Sequence, residues 1–255
     1  MSDSQSPQDM RIIPTARPAK AVFDWFSQAF KLFSAFKLQW AGFILMVYAC
    51  FFVLAMIPFI GELLISLILP GMFLVVASVQ NNQQFVPARL FEGIKYHLKP
   101  LLHLFLINFG AALVASTLAV LVVGENAMSS GDAAQVLSFM GTMLVIYLPF
   151  MMGLAFAPAL IVIDKLPAID AFKMSFKGCF KNAISLTIFS VIIMFAFVIA
   201  MIPMGLGLLI MLPVMHCILF VMYQDIFRHK ARFSISDYPN EQSGDDSDQD
   251  GSFMV

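Results

Sequence analysis

The stretch NAISLTIFSVIIMFAFVIAMIPMGLGLLIMLPVMHCILFVMYQ, residues 182–224, runs for 43 residues without a formal charge. As one straight helix it would extend ~65 Å at ~1.5 Å per residue, about twice the ~30 Å hydrocarbon core of a bilayer. The sequence IPMG at residues 202–205, near its middle, is typical of a turn. The stretch therefore predicts two membrane-spanning helices joined by a tight turn.

Four further charge-free runs precede this stretch, and each is long enough to cross a membrane. They are residues 38–61, 63–79, 101–123 and 133–163. The last run has 31 residues, so we expect it to tilt or to bend at Pro149 or Pro158. The resulting six helices are predicted at about residues 38–58, 63–79, 101–123, 135–158, 182–202 and 205–226.

The composition indicates that lipid rather than water surrounds much of the chain. Hydrophobic residues make up 60% of the 255 residues and charged residues only 12%, with a mean hydropathy of +0.86. Soluble domains are about 45–50% apolar and about 25% charged, so a water-soluble fold could not bury this much apolar surface. The three cysteines show no zinc or disulfide spacing. We expect an all-α, polytopic membrane protein with no cofactor and no metal.

The two ends of the chain differ in composition from its middle. Residues 1–18 are assigned to a polar N-terminal tail and residues 19–233 to a six-helix membrane domain. From residue 234 onward the sequence is rich in Asp, Ser and Gly, so residues 234–255 are predicted to form a disordered acidic tail.

The positions of lysine and arginine test the six-helix count independently. All 15 of these residues fall in four groups, at residues 11–37, 89–99, 165–181 and 228–232. With six spans, the four groups share one side of the membrane. The charged residues of the opposite side are Glu62, Glu125 and Asp132. Because positive residues concentrate in cytoplasmic segments, both termini are predicted to be cytoplasmic.

Short motifs recur along the chain and indicate an internal repeat. The pattern D-x-F-x-x-x-F-K occurs at residues 24–31 and 170–177, and the tetrapeptide AMIP occurs at residues 55–58 and 200–203. A weaker copy at residues 94–99 marks a middle unit. We interpret the chain as three units, each a cytoplasmic amphipathic helix followed by a transmembrane hairpin.

The amphipathic helices supply candidate contacts to lipid headgroups. In such a helix the phenylalanines reach the acyl chains while the lysines lie near anionic headgroups, and each lysine contributes ~1 kcal/mol of attraction. The candidates are Lys31, Lys37, Lys95, Lys99, Lys173, Lys177 and Lys181. The alternative interpretation is that these helices only anchor and orient the hairpins.

Few polar side chains lie inside the predicted spans. We select Asn108 and His216 as a candidate intramembrane polar site, since polar groups at membrane depth often mark function; for Asn108, a structural hydrogen bond across the bundle is the alternative. A copper site around His216, Cys217 and nearby methionines is a weaker hypothesis, because methionine also fills irregular packing gaps. The sequence contains no recognised catalytic motif, so no enzymatic activity is predicted.

Three segments resemble known proteins: the entry helix at residues 19–36, which is rich in Phe, Trp and Lys; the sequence IPFIG at residues 57–61; and the sequence APALIVID at residues 157–164, which leads into residues 171–181. They are similar to the YciC-type family of bacterial inner-membrane proteins. They are also similar to the membrane domain attached to some bacterial glycerophosphodiester phosphodiesterases. The resemblance covers about residues 19–227 and implies a six-helix protein of the bacterial inner membrane. It implies no phosphodiesterase activity for these residues, because that activity resides in a separate soluble domain.

These features favour a non-enzymatic scaffold or accessory protein that contacts lipid, including anionic lipid, or partner helices. The expected partners are membrane lipids, another membrane protein or a second copy of the chain, and not nucleic acid. The alternative is a transporter or lipid-handling protein with a cavity between the three hairpins. The lack of acidic and basic residues in the charge-free runs argues against proton- or sodium-coupled transport, but it permits an apolar substrate.

Overall fold

The structure is a computed structural model that describes residues 13–125 and 132–227. Within these ranges every regular element is helical, as predicted. The α-helices are α1 (Ala21–Ala35), α2 (Lys37–Ala55), α3 (Ile60–Ile68), α4 (Met72–Asn82), α5 (Glu92–Val123), α6 (Ala133–Ala155), α7 (Ala157–Val162), α8 (Ala168–Lys181), α9 (Ala183–Met201) and α10 (Leu208–Phe227). The predicted acidic tail, the basic group at residues 228–232 and residues 1–12 of the predicted N-terminal tail lie outside the described residues.

Among the residues that the structure describes, six helical segments are long and apolar enough to cross a membrane, which confirms the predicted all-α, six-span architecture. They are Lys37–Ala55, Ile60–Asn81, Pro87–Val123, Ala133–Val162, Ala183–Met201 and Leu208–Phe227. Helices that are apolar around most of their circumference are expected where lipid is the solvent. The chain is therefore a multi-pass membrane protein.

The segment that enters each hairpin is not the same in all three units. The helix α1 leads into α2, and α8 leads into α9. Before the middle hairpin, a 3-10 helix, Pro87–Phe91, leads directly into the first turns of α5, which are kinked at His97. Pro100 lies one turn later, and its ring pushes away the carbonyl of the preceding turn. In the middle unit the entry segment is therefore continuous with the span.

A proline lies in the second helix of each hairpin. Pro70 lies in the 3-10 helix Leu69–Gly71, Pro158 in the first turn of α7, and Pro213 inside α10. Each proline lacks the amide hydrogen that a helix needs at that position, so it bends or interrupts the helix. The break between α6 and α7 at Phe156 agrees with the bend expected near Pro158.

The segments that follow these prolines form much of the hydrophobic core. Their buried residues include Met72, Leu74, Val75, Leu160, Ile161, Phe220, Tyr223 and Phe227. Contacts join α4 to both α7 and α10, and the Tyr223 hydroxyl on α10 donates to the Asp164 carboxylate just after α7. The three post-proline segments therefore pack together at one end of the bundle.

The bend at Pro70 depends on the glycine beside it. A Cβ atom at Gly71 would lie only 1.8 Å from the carbonyl oxygen of Leu90. The 3-10 helix Pro87–Phe91 can therefore approach this closely only because Gly71 has no side chain. This contact ties the start of the middle hairpin to the bend of the first.

Candidate functional site: a cavity between the hairpins

A cavity of about 450 Å³ lies between the three hairpins, beside the proline bends. Leu, Phe, Pro and Met side chains make up most of its wall, which includes residues of α3, α5, α6, α7 and α10. Pro70 and Pro158 both belong to this wall. Because a bent helix diverges from its neighbours on one side of the bend, the bends account for the space between the hairpins.

Two polar side chains in the cavity wall are hydrogen-bonded to each other. The Tyr147 hydroxyl on α6 donates to Oδ1 of Asn108 on α5, which joins the two helices of the middle hairpin. The side-chain Nδ2 of Asn108 has no hydrogen-bond partner among the residues that the structure describes. The wall therefore offers a hydrogen-bond donor at this point.

His216 lines the same cavity from α10. Its Nδ1 atom lies 2.8 Å from the carbonyl oxygen of Leu212, one turn earlier. Because a carbonyl only accepts, Nδ1 carries the hydrogen, and in a neutral imidazole Nε2 is then a hydrogen-bond acceptor. The ring packs against Tyr48 in a T-shaped arrangement with centroids 6.3 Å apart, which favours one ring orientation.

Backbone carbonyls at the proline bends add further acceptors. Proline has no N–H to donate to the carbonyl four residues earlier. That carbonyl belongs to Ser66 for Pro70 and to Leu154 for Pro158. Both Ser66 and Leu154 line the cavity. The wall thus combines a largely apolar surface with a side-chain donor and several acceptors.

The two residues selected from the sequence, Asn108 and His216, therefore line one cavity, although their hydrogen bonds go to other groups. Polarity at membrane depth was the signal for both, and the same signal applies to Tyr147. Proline positions in the sequence also indicate freed backbone carbonyls, here those of Ser66 and Leu154.

The copper hypothesis has no support from the geometry around His216. Cys217, the adjacent residue, is fully buried in the core. Within residues 13–125 and 132–227, no three His, Cys, Asp or Glu side chains lie close enough together to hold a metal ion. We therefore make no proposal of a metal site.

The seven candidate lysines are all exposed, and they are spread over several surface features. They are Lys31, Lys37, Lys95, Lys99, Lys173, Lys177 and Lys181. Lys173 and Lys177 line a groove of about 340 Å³ between α6 and α8, beside Phe172 and Phe176. Lys31 lines a depression of about 630 Å³ between α1 and the end of α4. The structure therefore brings Lys173 and Lys177 together in one apolar groove.

Lys181 has a structural contact with the N-terminal segment. Its ammonium group donates to the carbonyl oxygen of Pro14 at a distance of 3.1 Å. It therefore helps to hold the N-terminal segment against the end of α8, and a change at Lys181 would disturb this contact as well as any lipid contact.

A polar network that the sequence did not predict joins the N-terminal segment to the third hairpin. The Arg17 guanidinium forms an ion pair with the Asp225 carboxylate near the end of α10. The Trp25 indole N–H donates to the other Asp225 carboxylate oxygen at 2.9 Å. The Asn182 side chain donates to the Thr15 carbonyl at 2.9 Å and accepts from the Arg17 backbone N–H at 2.7 Å. The network fixes α1 against α10.

Asp225 shows that a span can contain an acidic residue although the charge-free runs do not. The charge-free stretch ends at Gln224, but α10 continues to Phe227, so the candidate span Leu208–Phe227 includes Asp225. The carboxylate lies in the last turn of the helix and is neutralised by Arg17. A lone carboxylate directly after a long apolar run was the available signal.

Comparisons of this chain with family models, with curated proteins and with solved structures found no match. The resemblance to the YciC-type family therefore stays a prediction that depends on the quoted motifs. The case for a function depends on the geometry of the cavity and on the charges around it.

Proposed function

We propose that this multi-pass membrane protein holds an apolar ligand, a lipid of the surrounding membrane, in the cavity between its three hairpins. The observation that carries the proposal is the cavity of about 450 Å³ with its largely apolar wall. Ligand sites in proteins are typically clefts of about 300–1,000 Å³, lined by apolar side chains with a few polar groups that orient the ligand. The cavity matches this description in size and in composition.

The position of the cavity supports a ligand that comes from the membrane. Its wall includes residues of candidate spans from all three hairpins. A cavity among membrane-spanning helices is bordered by lipid chains rather than by bulk water. If it is empty, the side chains that line it lack the dispersion contacts that a bound apolar molecule would provide. A lipid chain is the apolar molecule most abundant at this position.

We further propose that the lysine-bearing side of the bundle faces the cytoplasm of a bacterium and that the protein lies in its inner membrane. We call this side the lysine end; it carries Lys31, Lys95 and Lys173. The opposite side is the acidic end, with Glu62, Glu125 and Asp132. The support is the concentration of Lys and Arg on one side, and the exposure of the seven candidate lysines.

A second candidate function is the scaffold or accessory role, in which basic segments contact anionic lipid or a partner helix. The groove of Lys173 and Lys177 favours it, because two ammonium groups lie beside the apolar rings of Phe172 and Phe176. Such an arrangement matches a lipid chain with an anionic headgroup. Both candidate functions are non-enzymatic and neither requires a cofactor.

The two candidates are distinguished by which substitutions remove a bound lipid. The protein is purified in mild detergent, and co-purifying lipid is measured by native mass spectrometry. Ala155→Phe and Ser66→Leu each add bulk to the cavity wall, and both should reduce the bound lipid strongly. Val145→Phe is the matched control, since Val145 lies on the same helix as Ala155 but does not line the cavity.

Retention of the lipid in folded Ala155→Phe and Ser66→Leu would overturn the cavity proposal. Loss of the lipid only in a Lys173→Gln, Lys177→Gln double variant would favour the scaffold role instead. A stoichiometric protein partner, retained in the cavity variants, would identify the assembly in which that role operates.

A further inference from the structure

We infer that the cavity selects an uncharged lipid with a hydroxyl head, in the chemical class of long-chain alcohols and monoacylglycerols. This inference rests on the proposed function, that the cavity holds a lipid. It adds that the polar groups of the wall, and not only its apolar area, determine which lipid is held.

The charges around the cavity disfavour an ionised headgroup. Among the described residues, none that lines the cavity carries a formal charge. Glu62 lies on α3 one turn before Ser66, so the nearby negative charge would repel a phosphate or a carboxylate. Moving an ionised group into an apolar site without an opposite charge is strongly unfavourable. An uncharged head avoids both costs.

The hydrogen-bonding groups of the wall complement a hydroxyl group. Asn108 offers N–H donors, because Tyr147 occupies its oxygen and not its nitrogen. His216 offers an acceptor at Nε2, because its Nδ1 hydrogen is engaged with the Leu212 carbonyl. A hydroxyl group both donates and accepts, so one head can satisfy groups of both kinds. An alkane end satisfies neither kind, and a carboxylate has no hydrogen to donate to Nε2.

The polar groups come from different hairpins, which gives the head a defined position. Ser66 belongs to the first hairpin, Asn108 to the second and His216 to the third. Leu154 adds its carbonyl at the bend before Pro158. A head held among these groups lies at the level of the proline bends, and its chain extends along the apolar remainder of the wall.

The test compares three ligands that share a 16-carbon chain and differ only at one end: 1-hexadecanol, hexadecane and palmitate. Delipidated full-length protein in mild detergent is equilibrated with equimolar mixtures of the three, and native mass spectrometry measures each adduct. We expect 1-hexadecanol to be favoured about tenfold over each of the others, because it gains a hydrogen bond that they lack.

Substitutions in the wall test whether the preference comes from the assigned groups. His216→Phe and Asn108→Leu should each reduce the preference for the alcohol to about twofold or less, while hexadecane binding is retained. Ser190→Ala is the matched control. Its hydroxyl, like the His216 ring, bonds to the carbonyl four residues earlier, but Ser190 is exposed on α9. It should leave the preference unchanged.

The outcomes separate failure of this inference from failure of the proposed function. Equal binding of 1-hexadecanol and hexadecane, or an excess of palmitate, would overturn the inference and leave an apolar lipid cavity intact. Binding of none of the three ligands by folded protein would overturn both. A preference that survives in both His216→Phe and Asn108→Leu would place the head elsewhere, and would also overturn the inference.

Discussion

The lysine end and the acidic end of the bundle are built differently. At the lysine end, large side chains such as Trp25, Trp40 and Tyr223 are fully buried, and a polar network fixes α1 to α10. Toward the acidic end, large apolar side chains such as Leu121 and Met204 are exposed.

This difference indicates that the two ends of the bundle are packed by different partners. Protein side chains provide the packing at the lysine end, so this end carries most of the folding specificity. At the acidic end lipid takes the place of a protein neighbour, which costs little because lipid tails are as apolar as the exposed side chains. The cavity lies beside the bends that separate the two regions, so the proposed lipid would occupy it while the core stays packed.

The largest expected effect concerns the side of the membrane on which each end lies. In a chain with the exposed Cys50 replaced by serine, a cysteine is introduced as Lys31→Cys or as Met204→Cys. Cys179 and Cys217 remain, because both are buried, and burial raises the pKa of the Cys179 thiol to about 11, which leaves little reactive thiolate near pH 7.

An impermeant maleimide added to intact spheroplasts should label Met204→Cys almost completely and Lys31→Cys only after the membrane is permeabilised. The expectation follows from the lysines, which favour the cytoplasmic side. The Cys50→Ser chain without an added cysteine gives the background. Labelling of only Lys31→Cys in intact spheroplasts would place the lysine end on the outer side of the membrane. Labelling of both cysteines would show that the two ends share one side.

The helices could be predicted from sequence because they depend on local composition. The charge-free run at residues 182–224 and the turn at residues 202–205 are local features, and the structure places α9 and α10 on either side of that turn. Asn108 and His216 could also be selected from a local signal, since a polar residue in an apolar run is recognisable without knowledge of its tertiary contacts. Local signals therefore gave the spans and two residues of the cavity wall.

The contacts that hold the lysine end together could not be predicted in this way. Arg17 and Asp225 are separated by 208 positions, and no periodicity in either segment indicates that they pair. The close approach of Gly71 to Leu90 likewise depends on how two hairpins pack. Such pairings are properties of the tertiary arrangement, so only the structure shows them.

The second way to test the comparison is to disturb packing at the lysine end. Gly71→Ala places a Cβ where the Leu90 carbonyl oxygen lies 1.8 Å away, so the backbone has to shift, and we expect stability to fall by about 3 kcal/mol. Gly42→Ala is the matched control, because nothing lies within 4 Å of the added atom. In that exposed helical position alanine should raise stability by ~0.5–1 kcal/mol.

Unfolding of both variants in mixed micelles with increasing sodium dodecyl sulfate measures the difference. Equal stability of Gly71→Ala and Gly42→Ala would mean that the bend at Pro70 does not depend on this close approach. The lysine end would then be less tightly packed than the structure indicates.

The smallest expected effect comes from the polar network. Asp225→Asn leaves the Arg17 guanidinium without its anionic partner and weakens the bond from Trp25, so stability should fall by about 1–2 kcal/mol. The value is modest because the side chains of Arg17 and Asp225 are 18% and 29% exposed, and water screens part of their attraction. Asp24→Asn makes the same chemical change at an exposed position of α1 and should alter stability by less than ~0.5 kcal/mol.

A double variant determines whether the cost arises from an unpaired charge. If it does, Arg17→Gln combined with Asp225→Asn should be more stable than Asp225→Asn alone, because the guanidinium that lost its partner is then gone. Equal losses for Asp225→Asn and Asp24→Asn would show that the network does not hold α1 to α10. The contrast between the two ends would then depend on apolar packing and not on the ion pair between Arg17 and Asp225.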